Sequence, residues 1–181
     1  YWRDWSSDVC SSDLPSSVSA IPTTPVFSYD RAELSDEQLV ELWRRILKPR
    51  MIEEKMLKLL RQGRISKWFS GIGQEAIAVG AASVLQEEEY IFPMHRNLGV
   101  FTTRGVTLDR LFAQFQGKNH GFTKGRDRSF HFGAPDHNIV GMISHLGPQL
   151  ALAGGVGLAD RLEGEKRVTI AFSGEGGKIG R

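Results

Sequence analysis

The sequence has little of what a disulfide-bonded, membrane-spanning or nucleic-acid-binding protein needs. Its one cysteine, Cys10, leaves no partner for a disulfide within the chain and no cluster of thiolate ligands for a metal. The longest weakly polar stretches, 76–85 and 146–159, are shorter than the roughly 20 apolar residues of a membrane-spanning helix. The net charge is only +2, so neither nucleic acid nor a membrane is expected as a partner, and a reducing cytoplasm fits best.

The two ends of the chain resemble translated sequencing adapter. The codons AAG ATC GGA AGA encode the last four residues, and their reverse complement lies within codons that encode Cys10-Ser11-Ser12-Asp13-Leu14. We therefore interpret residues 1–14 and 178–181 as artefacts and exclude them from reasoning about the fold. Residues 15–34 are rich in Pro, Ser and Thr, which predicts an extended arm or linker, and residues 35–177 predict one incomplete domain.

Within residues 35–177, apolar periodicity and turn residues predict helices alternating with short buried strands. Ser35 and Gln38 match a capping box, and Thr107 is expected to cap another helix. A glycine-rich, polar stretch predicts a long loop, 117–138. The predicted helices are 35–63 with a kink at Pro49, 74–85, 108–115 and 149–162, and the predicted strands are 90–93 and 167–172. This order is typical of an α/β fold with a parallel sheet.

All five histidines fall between residues 95 and 145, where seven basic residues face only three acidic ones. A basic, glycine-rich segment in a nearly neutral chain indicates an anionic ligand such as a phosphate, although a solvated loop gives the same pattern. A zinc site is disfavoured because no two histidines have the His-x-x-x-His spacing.

The motif Gly174-Glu175-Gly176-Gly177 follows a predicted strand. Its glycines can adopt positive φ and direct backbone amides toward a phosphate, while Glu175 offers an oxygen ligand for magnesium. Two common nucleotide motifs do not fit: Phe172 occupies the position of the first P-loop glycine, and Ile179 that of the last dinucleotide-fingerprint glycine. The glycines at 154, 155 and 157 fall within a predicted helix and indicate close packing there.

Seven short motifs occur in a characteristic order along residues 35–177: Gly73-Gln74-Glu75-Ala76, Met94-His95-Arg96-Asn97-Leu98-Gly99, Thr103-Arg104-Gly105, Lys124-Gly125-Arg126, Ser129-Phe130-His131-Phe132-Gly133, Ile143-Ser144-His145-Leu146-Gly147 and Gly174-Glu175-Gly176. Together they resemble the α subunit of thiamine-diphosphate-dependent 2-oxo acid dehydrogenases. The resemblance is closest to the branched-chain (2-oxoisovalerate) type, in which the residue between the last two glycines can be Glu. It implies an α/β, three-layer thiamine-diphosphate-binding fold with a mostly parallel sheet, truncated at its C-terminal side.

The resemblance also implies roles for individual residues. Arg96 would contact the cofactor diphosphate, with His95 beside it at a position where the family often has Tyr. Ser144 and Leu146 would line the bend between the two rings of the cofactor. Gly174 and Gly176 would flank Glu175, which would ligate magnesium. His131 matches a loop histidine whose role is either catalytic or a loop-anchoring hydrogen bond.

By the same resemblance, the reaction is oxidative decarboxylation of a branched-chain 2-oxo acid, with transfer of the acyl group to a lipoyl group. Thiamine diphosphate and magnesium are the implied cofactors. The implied partners are a β subunit or fused β part in an α2β2-like assembly and a lipoyl-bearing acyltransferase. A bacterial, cytoplasmic protein is expected. Because the glutamate that activates the cofactor belongs to the β part, this chain alone is expected to be inactive.

Two alternatives remain at this point. One is a pyruvate or acetoin dehydrogenase α subunit, since many substrate-pocket residues lie beyond residue 177. The other, of a different class, is an anion- or nucleotide-binding module without catalysis.

Overall fold

The computed structural model describes residues 33–127, 129–142 and 147–174. Both proposed adapter-derived ends, 1–14 and 178–181, and all but the last two residues of the arm, 15–34, lie outside the described residues. The elements belong to one packing unit that begins at Ser35. In chain order they are helices α1 (Asp36–Arg61) and α2 (Glu75–Ser83), strand β1 (Tyr90–Phe92), helices α3 (Leu98–Thr103), α4 (Leu108–Phe115) and α5 (Pro148–Glu163), and strand β2 (Thr169–Ala171).

The two strands form a parallel sheet, with Tyr90 opposite Thr169 and Phe92 opposite Ala171. On its other side, β1 is joined by the backbone around Ile139: Ile91 N–H donates to Asn138 O at 3.1 Å, and Val140 N–H donates to Ile91 O at 3.0 Å. A parallel pair needs a crossover connection, and α5 lies in the one between β1 and β2. The predicted α/β class with a parallel sheet is therefore confirmed.

The long helix α1 begins as predicted. Ser35 Oγ accepts from Gln38 N–H at 3.3 Å, and Gln38 Oε1 accepts from Ser35 N–H at 2.8 Å, which closes the capping box. The helix continues through Pro49, which is buried. Its inner face presents Ile52, Met56 and Leu59 to the core.

The core lies between α1, α2, α3, α4 and the aromatic side chains that follow them. Phe101, Met56, Ile91, Leu98 and Leu111 are its largest fully buried apolar side chains. Trp68, Phe115 and Phe130 form an aromatic group with ring centroids 4.9–5.3 Å apart, within the range in which such pairs stabilise a fold beyond the area they bury.

Three expectations require correction. Helix α3 was not predicted, although it lies in the core. Thr107 precedes α4 as expected, but its side chain makes no capping hydrogen bond. The glycines at 154, 155 and 157 were expected to pack closely, yet within the described part of the chain nothing lies within 4 Å of a Cβ built at any of them. The 117–138 stretch is irregular as predicted, apart from a short 3-10 turn at Pro135–His137.

None of the helices in the described part of the chain is long and apolar enough to span a membrane.

Candidate functional site

A cavity of about 420 Å³ opens at the carboxyl ends of the two parallel strands. Two segments leave the sheet side by side there, the turn after β1 and the residues after β2, because Phe172 N–H donates to Phe92 O at 2.9 Å. In parallel sheets this edge is where ligands usually bind. The cavity is lined by Gln74, Ile77, Met94, His95, Arg96, Asn97, Phe172, Ser173 and Gly174. Three residues predicted for the site, His95, Arg96 and Gly174, therefore line one cavity.

The turn that carries His95 and Arg96 is closed by Asn97. Asn97 Oδ1 accepts from Met94 N–H at 2.8 Å, and Asn97 N–H donates to Met94 O at 3.1 Å. Asn97 is buried and stands immediately before α3, but its side chain folds back onto the turn instead of capping that helix. The two residues between Met94 and Asn97 are therefore held at the tip of a tight loop, at the mouth of the cavity.

Helix α3 fixes the far side of this turn because it packs closely on α2. A Cβ at Gly99 would lie 2.9 Å from Val79 Cγ2 and 3.0 Å from Ala78 Cβ, so only glycine allows this approach. The motif that contains His95 and Arg96 thus ends in Gly99, which allows α3 to pack against α2.

Arg96 and His95 interact with each other at the cavity. Arg96 Nε donates to His95 Nε2 at 3.3 Å, and the Arg96 side chain is exposed. Burial lowers the pKa of His95, and the positive charge of Arg96 and the neighbouring His131 lower it further. The lowered pKa favours the neutral form of His95, in which Nε2 accepts from Arg96 and the proton is on Nδ1, and Arg96 carries the positive charge of the pair.

His131 lies within electrostatic range of His95. Its Nδ1 is buried and has no hydrogen-bond partner among the described residues. His131, which the family resemblance singled out, therefore lies near His95, and the His131 Nδ1 makes no hydrogen bond with the described residues.

Two other cations of the basic window, Arg104 and Arg110, bind groups of the fold. Arg104 donates to the backbone carbonyls of Gln86, Glu87, Glu89 and His137 at 2.6–3.1 Å. Arg110 lies 4.1 Å over the Phe122 ring and 3.5 Å from Asp136. Among the described cations of the basic window, Arg96 lines the cavity at the ends of the strands. Binding of an anion by this segment stays a prediction.

After β2, Gly174 is half-buried, and a Cβ there would meet Met94 Cε at 3.5 Å. Its φ is not positive, contrary to the sequence expectation for this glycine. Four other predicted site residues lie outside the described residues: Ser144, Leu146, Glu175 and Gly176. Among the described residues, no three of His, Cys, Asp and Glu are placed to hold a metal ion.

Sequence reasoning missed three contributors to the site. Phe69 packs its ring edge on His95 with centroids 4.8 Å apart. Gln74 and Asn97 line the cavity, although both lay within quoted motifs and had no role assigned to them. The motif around Gln74 could have indicated that Gln74 belongs to the site. No motif pointed to Phe69, because Phe69 and His95 are distant in sequence and meet only in the folded chain.

Comparison with known proteins agrees with this arrangement. The family model described as "Dehydrogenase E1 component" matches residues 44–180. The chain is 35% identical over 142 residues to the mitochondrial 2-oxoisovalerate dehydrogenase subunit alpha of Dictyostelium discoideum, covering 78% of this chain and 32% of that protein. It is 36% identical over 148 residues to the 2-oxoisovalerate dehydrogenase subunit alpha of Bacillus subtilis (strain 168), covering 79% and 44%. A third relative is the mitochondrial 2-oxoisovalerate dehydrogenase subunit alpha 1 of Arabidopsis thaliana, 29% identical over 148 residues, covering 82% and 31%.

The chain thus spans from about a third to less than half of the length of these curated relatives. The family match covers well over half of the chain and includes the cavity, the His95-Arg96 turn and both strands. The resemblance inferred from the seven motifs is confirmed, and the chain belongs to the dehydrogenase E1 component family.

Proposed function

We propose that this chain is the diphosphate-binding part of the α subunit of a branched-chain 2-oxo acid dehydrogenase. The observation that carries the proposal is the convergence of Arg96, His95 and Gly174 at the carboxyl ends of two neighbouring parallel strands. The relatives named as 2-oxoisovalerate dehydrogenase subunits alpha support the branched-chain assignment. We further propose that the complete protein has the three-layer thiamine-diphosphate-binding fold.

The donor set in the cavity fits a diphosphate. Arg96 supplies a fixed positive charge whose terminal nitrogens can bind two phosphate oxygens at once. Neutral His95 supplies an Nδ1–H donor without a second charge, and the backbone around Gly174 approaches the same space. A cavity of about 420 Å³ has room for such a group.

In this proposal the chain binds and orients the cofactor. Thiamine diphosphate, when bound, supplies the electron sink for decarboxylation of the 2-oxo acid. Arg96 and His95 would hold its diphosphate, Glu175, between Gly174 and Gly176, would ligate magnesium, and Ser144 and Leu146 would line the bend between its rings. His131, whose Nδ1 has no partner among the described residues, is proposed as a further polar group close to His95. The β part and a lipoyl-bearing acyltransferase complete the assembly.

The proposal is tested by cofactor binding to the complete subunit assembled with its partner. Arg96→Ala should weaken binding of thiamine diphosphate with magnesium by about 1.5–3 kcal/mol, because a charge-assisted hydrogen bond is lost. Isothermal titration calorimetry on the cofactor-free protein measures this directly. Arg126→Ala, which removes an exposed arginine of the same basic window outside the cavity, should leave the affinity unchanged.

Equal affinities for the parent and Arg96→Ala would refute the assignment of Arg96. The substrate is tested separately, by comparing carbon dioxide release from 3-methyl-2-oxobutanoate and from pyruvate. Faster turnover of pyruvate would replace the branched-chain proposal with the pyruvate one. Binding of inorganic phosphate without any binding of thiamine diphosphate would instead indicate an anion-binding module.

A further inference from the structure

Glu53 is a buried carboxylate in the middle of α1, with 1% of the residue exposed. Its two oxygens bind two different donors of one segment: Oε2 accepts from Trp68 Nε1 at 2.6 Å, and Oε1 accepts from Gly71 N–H at 2.9 Å. A buried carboxyl group is costly unless its oxygens are hydrogen-bonded. The same two bonds therefore satisfy Glu53 and hold the segment 68–71 at both of its ends.

The segment 68–71 contacts the turn that carries His95 and Arg96. Phe69, between the two tethered residues, packs its ring edge on His95 with centroids 4.8 Å apart. At Gly71 the backbone itself touches the next residue: a Cβ there would lie 2.1 Å from the Arg96 carbonyl oxygen. Only glycine permits this approach, so the segment contacts both residues of the His95-Arg96 pair.

We propose that Glu53 is a positioning residue for His95 and Arg96, acting through the segment 68–71. This inference rests on the proposed function, since it concerns how the diphosphate-binding pair is held. The Asn97 side chain holds the turn by its hydrogen bond with Met94 N–H. The segment 68–71, which Glu53 holds at Gly71 N–H, packs against the same turn. A displacement on the order of 1 Å of a binding group is enough to weaken a site strongly.

Two neighbouring glutamates provide the test. Glu53→Gln keeps the size of the side chain but leaves one acceptor oxygen for two donors, so its amide group opposes either Trp68 Nε1–H or Gly71 N–H. Glu54→Gln makes the same chemical change at an exposed position of α1 and is the control. Affinity of the cofactor-free assembled protein for thiamine diphosphate with magnesium should fall roughly tenfold or more in Glu53→Gln and stay unchanged in Glu54→Gln.

Kinetics separate positioning from a general loss of structure. In Glu53→Gln the concentration of cofactor needed for half-maximal activity should rise, while the rate at saturating cofactor should be largely retained. A second variant, Gly71→Ala, leaves the Glu53 carboxylate intact and should weaken cofactor binding because its methyl group displaces the segment from Arg96. If Glu53→Gln does not fold, Trp68→Phe, which removes the Nε1–H donor to Glu53 Oε2 and keeps an aromatic ring, decides the question: weaker cofactor binding supports the inference, and parent-like binding overturns it.

The parent protein gives the same test without a substitution. Cofactor binding should slow hydrogen exchange at the Gly71 amide, because the segment is then held between Glu53 and an occupied site. Unchanged exchange at Gly71 together with parent-like affinity in every variant that folds would overturn the inference and leave the proposed function standing. A parent protein that binds no thiamine diphosphate would refute the proposed function itself.

Discussion

Glu75 is 6% exposed in the first turn of α2 and accepts hydrogen bonds from two parts of the chain. Arg50 binds it through Nε at 2.6 Å and Nη2 at 3.0 Å, and Gly73 N–H donates to Glu75 Oε2 at 2.8 Å. These bonds tie α1 to the loop that leads to Gln74 at the cavity. The hydrogen bonds from Arg50 lower the pKa of the Glu75 carboxyl against the opposing effect of burial, and its backbone hydrogen bonds lower it further.

We expect Arg50→Ala to reduce the free energy of unfolding by about 1–2 kcal/mol at pH 7, since Glu75 loses its charged partner. The value is set at the lower end because the Arg50 side chain is 40% exposed and partly screened by water. A lowered pKa means that the bond contributes fully above the unfolded carboxyl pKa of about 4.3, and that this contribution is lost as the pH falls through the lower folded pKa. Urea unfolding from pH 7 to pH 3 measures the difference.

Arg45→Ala is the matched control for this measurement. Arg45 pairs with Glu41 at 3.0 Å on the exposed face of α1, four residues apart. Such pairs contribute about 0.3–0.5 kcal/mol. Equal costs for Arg45→Ala and Arg50→Ala, or a cost for Arg50→Ala that persists unchanged at pH 3, would show that the Glu75 pair does not have the role described.

At the scale of elements, sequence reasoning found the helices that are marked by apolar spacing, by small residues or by capping residues. Helix α1 has apolar residues at helical spacing, of which Ile52, Met56 and Leu59 are buried, and it also carries its capping box in the sequence. Helix α3 gave no such signal because Leu98, Gly99, Val100, Phe101 and Thr102 are all buried. A six-residue helix surrounded by the core has no polar face to reveal its period. Asn97, a residue type that often caps helices, stands at its start but uses its side chain within the preceding turn.

The caps of α1 and α4 give a prediction at this scale. Ser35→Ala should cost about 1 kcal/mol of unfolding free energy, because it removes the acceptor for Gln38 N–H. Thr107→Ala should cost clearly less, since the Thr107 side chain makes no capping hydrogen bond. Denaturant unfolding of the two variants alongside the parent tests the pair. A Thr107→Ala cost equal to or above that of Ser35→Ala would mean that both threonine and serine act as caps.

The candidate site was predictable where it depends on local motifs. Arg96, His95 and Gly174 belong to motifs that follow strands, and the two strands place them together. Phe69 and Glu53 could not be identified this way because their roles come from contacts across the fold: the Phe69 ring meets His95, and Glu53 binds Trp68 and Gly71. The role of Arg104 was likewise decided by four backbone carbonyls that its position in the basic window did not indicate.

At the scale of the whole molecule, the described residues expose large apolar side chains mainly on two helices, α1 and α5. Four leucines of α5 are 42–79% exposed: Leu150, Leu152, Leu158 and Leu162. The strand that follows, β2, pairs with β1 and has no second neighbour among the described strands. Contiguous exposed apolar surface and an unpaired strand edge both favour association with another polypeptide. In the described part of the chain, the exposed leucines of α5 and the free edge of β2 therefore favour association with another polypeptide.

We expect the chain, expressed by itself, to self-associate through this surface. Sedimentation velocity over a range of concentrations should show species larger than the monomer, and the double substitution Leu158→Lys with Leu162→Lys should shift the distribution toward the monomer by placing two charges on the exposed face of α5. Val84→Lys, at a valine that is 70% exposed after α2, adds a charge at a different exposed apolar position and should leave association unchanged. A chain that stays monomeric at every concentration, or an equal effect of Val84→Lys, would show that the leucines of α5 do not drive association.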